Sequence, residues 1–417
     1  MQIKRSPPFF LATILALIPC IGALSWLFLG SLDGPRNQSV IDLTSAFQML
    51  TIFMAFLFGI TRIDFVKRPP VPVLIATAVL AITMIYGLLV NAPNPVSGVL
   101  DLLLKLVFVA LSISICFLIS LFDRRLPEAF ILAIFLVPVL HIPVLAALYI
   151  LYIDHPSMNW LGGPVGFEHV RIWGMFLATS LAVGFGFAPA IHKSSRLWAF
   201  VLWGLCALLW ALLFWSGSRG ALLGMVAAYL FSTVLFWRHL RTTVLPVLAS
   251  AALGAALSML LQPAMYSYGM LNRLVTTVGG NSDRLSGGRL SLWRDSLGVF
   301  EQHPIMGNGF NQFRYLTEGF DRDWLQAHSI VIQSLVDIGI VGAVSLGFLL
   351  LFYWVKALNL LRRDPNAIRL AAFSGLNAML VMSLFDGTLY HPETTTSFAV
   401  LFALALATPR PVASVAE

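Results

Sequence analysis

The chain has 417 residues, 59% of them hydrophobic and 11% charged, with a formal net charge of +7. Soluble domains carry about 25% charged residues, which excludes a globular enzyme with an appended anchor and leaves an integral membrane protein. Cys20, Cys116 and Cys206 all fall inside apolar segments, so they form neither a disulfide framework nor a metal cluster and read as small packing residues.

Apolar runs long enough to cross a bilayer, about 17–25 residues each, recur along the chain. Twelve are predicted, at 9–29, 40–60, 71–90, 99–122, 127–153, 170–190, 196–215, 219–237, 243–262, 329–354, 368–386 and 394–408. The first follows Lys4 and Arg5 but precedes no small-residue cleavage pattern, and it is read as a retained helix rather than a signal peptide. The expected fold is all-α and membrane-integral, with about twelve spans. Spans one to nine occupy 1–262, one large outer loop occupies 263–328, and spans ten to twelve occupy 329–417.

Positive charge orients the spans. With a cytoplasmic N-terminus, sixteen of the 26 Lys and Arg residues lie on the inner side, and both termini are expected inside. The inner cations account for the net charge, which therefore carries no implication of nucleic-acid binding. Every outer basic residue is an arginine: Arg36, Arg171, Arg219, Arg273, Arg284, Arg289, Arg294, Arg314 and Arg322. Arginine offers a planar fork for bidentate contact with phosphate or carboxylate and does not lose its charge, which suits an outward-facing anionic site.

In chain order, charges first appear within spans at Asp42, Asp101 and Lys105. The last two stand at i and i+4 and are expected to pair. The outer connection 154–169 holds His155, Glu168 and His169. Ser216-Gly217-Ser218-Arg219-Gly220 forms a tight outer turn in which Arg219 opens the next span. Arg219 can be read as a residue snorkelling to headgroups or as a fixed cation facing the bundle interior, and the loop arginines favour the second.

The loop at 263–328, about 65 residues long, exceeds ordinary connections and is rich in aromatic residues. Within it, Arg289, Trp293, Leu297 and Phe300 fall on one predicted helical stripe, preceded by Gly287-Gly288 and ended by Pro304 and Gly307-Asn308-Gly309. An arginine at a helix start sits where anions are favoured. Arg289 is the first candidate, with Arg284 and Arg294 after it, although Asp283 and Asp295 could balance two of the three. His328 begins the tenth span, with Ile332, Leu335 and Gly339 expected on its face, and imidazole is the commonest general base near neutral pH. His303, His155 and His169 are weaker candidates. Asp386 and Tyr390-His391-Pro392-Glu393, at the last outer turn, border the same region. No metal-ligand spacing accompanies these residues, so neither metal nor cofactor is expected.

The Ser-Arg-Gly turn, the Gly-Arg-Leu-x-x-Trp segment with Gly307-Asn308-Gly309 downstream, and the run from His328 to Gly342 resemble the O-antigen ligase and polymerase superfamily. The motifs cover roughly residues 200–345, and the twelve-span layout extends the likeness. Two positions depart from the usual pattern: Ser329 stands where Asn is frequent after the histidine, and Asp337 where Glu is common. The resemblance implies a GT-C-like glycosyltransferase of the bacterial inner membrane, multi-pass, working at the periplasmic face on an undecaprenyl-diphosphate-linked glycan. Carried over, it implies that Arg219 and Arg289 hold the diphosphate and that His328 is the catalytic base. Arg284, Arg294, Trp293, Arg171 and Tyr390 are expected around the diphosphate or glycan. A single dominant loop and no appended soluble domain favour a ligase using a lipid A-core acceptor over a polymerase or a protein O-oligosaccharyltransferase. The alternative of another class is a transporter or flippase of an anionic lipid, which predicts internal symmetry and mid-membrane charge that the sequence lacks. Membrane lipids are the other expected partners; nucleic acid is not.

Overall fold

The computed structural model describes residues 9–29, 38–58, 69–122, 125–152, 167, 169–260, 286–317 and 325–407. Every regular element among them is helical: α1 (Phe9–Leu29), α2 (Gln38–Leu57), α3 (Val71–Tyr86, continued by a π turn Gly87–Asn91), α4 (Pro95–Leu121), α5 (Arg125–Tyr152), α6 (Val170–Ser194), α7 (Arg196–Ser216), α8 (Arg219–Leu235), α9 (Trp237–Leu240), α10 (Val244–Leu260), α11 (Arg289–Phe300), α12 (Phe313–Leu316), α13 (Ile330–Arg363), α14 (Ala367–Phe385) and α15 (Pro392–Leu406). Eight helices are long and apolar enough to cross a membrane, and four shorter apolar ones stand among them. The chain is a multi-pass integral membrane protein.

Local chemistry sets several helix starts. Asn94 caps α4 by accepting from Ser97 N at 3.2 Å, with Pro95 in the first turn, so α4 begins four residues before the expected 99. Asn366 caps α14 through Arg369 N at 2.9 Å. Lys105 and Asp101 pair at 3.5 Å across one turn of α4, as the spacing suggested.

At the centre, α6 and α14 pack backbone to backbone. A Cβ at Gly186 would lie 2.5 Å from Ala371 Cα, so only glycine permits this approach. Gly224 of α8 meets Met382 and the Ala378 carbonyl of α14 just as closely. Apolar side chains gain little by leaving lipid for one another, so small residues that bring backbones together are the usual means of holding helices in a bilayer. Phe185, Leu177, Leu181, Phe373, Leu376 and Met379 fill the core around this contact.

Two expectations about the loop and the tenth span are corrected. The predicted α11 stripe of Trp293, Leu297 and Phe300 is rotated: Leu292, Ser296 and Val299 are the buried positions, Trp293 and Phe300 are half-buried, and Leu297 is exposed. The face is selected by docking against Phe313, Ala327 and Val336. Gly339, expected on the His328 face of a continuous helix, instead breaks α13 with φ 63° and ψ −177°.

The break is filled by the loop. Ile340 N donates to Pro304 O at 2.9 Å and Val341 N to Ile305 O at 3.3 Å. In return Asn308 N donates to Val336 O and Gly309 N to Asp337 O, both at 2.9 Å. Backbone groups freed from a helix inside a bundle need such partners, and Gly307 passes too close to the backbone of Asp337, Ile338 and Gly339 for any Cβ to fit.

Gly186→Ala is expected to cost about 1–3 kcal/mol by overpacking. The α7 substitution Gly204→Ala, with nothing within 4 Å, is expected to be neutral or to stabilise by about 0.4–1 kcal/mol through the unfolded chain. Thermal unfolding in detergent distinguishes the two; equal melting temperatures would remove the α6–α14 contact as the tight point of the bundle.

Candidate functional site

Charged side chains from five elements meet at one end of the bundle. Arg171 lies in the first turn of α6, which His169 caps by accepting from Arg171 N at 3.0 Å. Arg219 is the first residue of α8, directly after the Ser216–Ser218 turn. That turn is pressed against α6, since a Cβ on Gly174 would meet Ser218 Cβ at 2.7 Å, and Arg171 is one helical turn from Gly174. Arg289 is the first residue of α11; Gly288 before it is left-handed at φ 81°, and Ser286 Oγ accepts from Arg289 N at 3.1 Å. His328 precedes α13, and Asp386 closes α14.

Asp386 is the hub. Arg289 Nη2 donates to its Oδ2 at 2.6 Å, and His328 Nδ1 lies 3.2 Å from its Oδ1. The Asp386 side chain is only 5% exposed. Burial alone would raise its carboxyl pKa, but the His328 contact and the Arg289 and Arg171 charges outweigh that and hold it well below the usual carboxylate range. It is therefore ionised at any physiological pH.

The arginines outnumber the acid. Arg219 feels the charges of both Arg289 and Arg171, and neither Arg219 nor Arg171 is ion-paired among the described residues. Among the described residues, three guanidiniums gather around one carboxylate. Bringing like charges together is costly, and a dianion between them would relieve the cost. Bidentate guanidinium contacts suit phosphate oxygens in particular.

A second polar chain adjoins the first. Trp293 Nε1 of α11 donates to Ala327 O at 3.0 Å, and Ala327 N donates to Gln333 Oε1 at 2.7 Å. Gln333 Nε2 donates to Asp337 Oδ1 at 2.9 Å, and Tyr390 OH reaches Asp337 Oδ2 at 3.4 Å. Lys105 sits 5.0 Å from the centre of the Tyr390 ring. Burial, then the Asp337 and Asp101 charges, push the Tyr390 phenol well above its ordinary pKa, so it remains a donor.

Of the residues singled out from sequence, Arg171, Arg219, Arg289 and His328 converge. Trp293 is next to His328 through Ala327 but has its indole N–H committed there. Tyr390 belongs to the Asp337 chain rather than the arginine cluster. Arg294 and His303 are exposed; Arg284 and His155 lie outside the described residues. Sequence reasoning set Asp386 only at the border of the site, and it did not find Gln333. The available signal for Gln333 was its i, i+4 spacing to Asp337, an amide–carboxylate pair on one helix face.

His328 carries a further mark. Its φ is 51°, a left-handed conformation uncommon for residues other than glycine and concentrated at functional sites.

Residues 204–347 match the family described as O-Antigen ligase. No curated protein matches the chain at a significant level. The matched segment holds Arg219, Arg289 and His328; Arg171 and Asp386 fall outside it.

Removing Asp386 takes away the carboxylate that Arg289 and His328 share. Asp386→Asn is expected to destabilise by about 3 kcal/mol, the lower part of the range for breaking a buried pair, because Arg289 retains 18% exposure. The pH dependence has a definite sign. A depressed folded pKa stabilises above the unfolded carboxylate value, about 3.9, and the contribution is lost as pH falls below it. The gap in melting temperature between wild type and Asp386→Asn is therefore expected to close as pH drops below about 4; a gap independent of pH would exclude Asp386 as the charged hub.

Proposed function

Starting from a segment, 204–347, of the O-antigen ligase/polymerase superfamily, we propose that the protein is an O-antigen ligase. It moves a glycan from undecaprenyl diphosphate to a sugar hydroxyl of lipid A-core at the periplasmic face of the inner membrane. The observation that carries this reading is the convergence of three guanidiniums, Arg171, Arg219 and Arg289, around Asp386, a grouping that suits the two negative charges of a diphosphate diester. The positive-inside bias of the sequence supports a periplasmic position for this end of the bundle and cytoplasmic termini.

The chemistry follows from the positions of the groups. The polyprenyl tail stays in the bilayer while the diphosphate lies among the guanidiniums. The acceptor hydroxyl oxygen attacks the anomeric carbon from the face opposite the diphosphate; the new C–O bond forms as the bond to the diphosphate breaks, and the configuration inverts. Negative charge grows on the departing diphosphate, where fixed arginines stabilise it without reorganisation. With Nδ1 of His328 turned to Asp386, Nε2 takes the hydroxyl proton, and Asp386 stabilises the imidazolium that forms, as an orienting acid does for a base in other sites. The arginines supply the charge stabilisation that a divalent metal would otherwise provide, so no metal is required.

Purified protein with undecaprenyl-diphosphate-linked glycan and O-antigen-free lipopolysaccharide, without added metal, tests the reading by a gel shift of the lipopolysaccharide. Transfer is expected in wild type, with His328→Ala slower by about 10²–10⁴-fold. Full activity in His328→Ala would sink the base assignment. A lengthened donor with unshifted lipopolysaccharide would make the protein a polymerase, and an untouched donor would favour transport. Arg289→Ala is expected to weaken donor binding as well as rate, whereas lost rate at unchanged donor affinity would move Arg289 from binding to chemistry.

A further inference from the structure

Ala327, the residue before His328, is fully buried, and its two backbone groups are held by side chains from different elements. Its N–H goes to Gln333 in the first turn of α13, and its carbonyl receives the Trp293 indole of α11. The Gln333 amide has only one useful orientation. The Ala327 N–H can only donate, which fixes the Gln333 carbonyl oxygen toward it and leaves Nε2 for Asp337 Oδ1. Tyr390 donates to the other Asp337 oxygen, so the acid that orients Gln333 is itself held from the α14–α15 turn.

Immediately after this clamped peptide the backbone turns left-handed at His328. A non-glycine residue stays in that region only where its surroundings over-determine it. On the other side of the turn, the imidazole meets Asp386. The Trp293 ring is packed beside Leu292, Phe313, Ala327 and Val336 with its N–H engaged, an arrangement of a brace rather than of a platform awaiting a sugar.

We propose that Trp293 and Gln333 are positioning residues that clamp the Ala327–His328 peptide in its left-handed turn and so aim the imidazole at Asp386 and the acceptor. α11 then has two tasks at one site: Arg289 at its start meets the donor, and Trp293 one turn later sets the base. The inference rests on the reading of His328 as that base, and it makes Trp293 act through His328 instead of binding substrate.

The test uses the full-length protein in the lipopolysaccharide transfer assay, comparing Trp293→Phe, Gln333→Met and the double variant. Trp293→Phe keeps an aromatic ring and deletes one donor; Gln333→Met keeps the length and deletes both amide contacts. Each is expected to lower kcat about 10- to 100-fold, the cost of displacing a catalytic group by around an ångström, with donor KM within about twofold of wild type. Because both residues hold the same peptide, the double variant is expected to fall no further than the worse single one. Wild-type kcat in Trp293→Phe, a raised donor KM at unchanged kcat, or losses that multiply in the double variant would each overturn the proposal. If Gln333→Met does not fold, the kcat and KM of Trp293→Phe decide alone. Impaired His328→Ala alongside unaffected Trp293→Phe would defeat the clamp and leave the base intact, whereas fully active His328→Ala would defeat the base itself.

Discussion

One buried carboxylate organises the arginine-bearing end of this bundle. Asp386 lies at the end of α14, where it joins the first residue of α11 to His328, two residues before α13. Without it, three guanidiniums and an imidazole would crowd together around a buried position. With it, the described residues hold three guanidiniums to one carboxylate, an arrangement that suits a phosphate: enough acid to hold the cations in place, too little to neutralise them.

The geometry is only as good as the frame beneath it. Asp386 is at the end of α14 because α14 lies directly on α6, and glycine at 186 lets their backbones meet. α6 also carries Arg171, and its Gly174 contact with the 216–218 turn fixes the start of α8 and Arg219. The same helix pair that forms the core of the membrane domain thus sets the relative positions of two arginines and the carboxylate. Small residues in the spans serve the site from a distance.

The apolar segments were legible in the sequence because membrane-spanning helices must satisfy their own backbone and leave a long apolar signature. The arginines and His328 were legible because charge at a membrane boundary is sparse enough for each one to stand out. What escaped was anything decided by tertiary contact. The buried face of α11 turned by one position because Phe313 and Val336 chose it, and helical periodicity cannot rank two adjacent stripes. The break at Gly339 was hidden inside an apolar run, since hydropathy does not register whether a backbone amide bonds within its helix or to a distant loop. Asp386 could be set only at the border of the region, because its partners lie 58 and 97 positions away. Gln333 was not singled out, because its contacts to Ala327 and Asp337 appear only in the folded chain.

The splice between residues 304–309 and the broken α13 has a consequence for how the protein is made. The amides of Ile340 and Val341 and the carbonyls of Val336 and Asp337 depend on a segment that lies some thirty residues earlier and outside any span. A nascent chain that has formed α13 still has a notch of bare peptide groups until residues 304–309 fold back into it. Completion of that helix is a late event, coupled to the folding of a segment outside it. A damaged loop would leave the cell with an insertion defect before it left it with a slow enzyme.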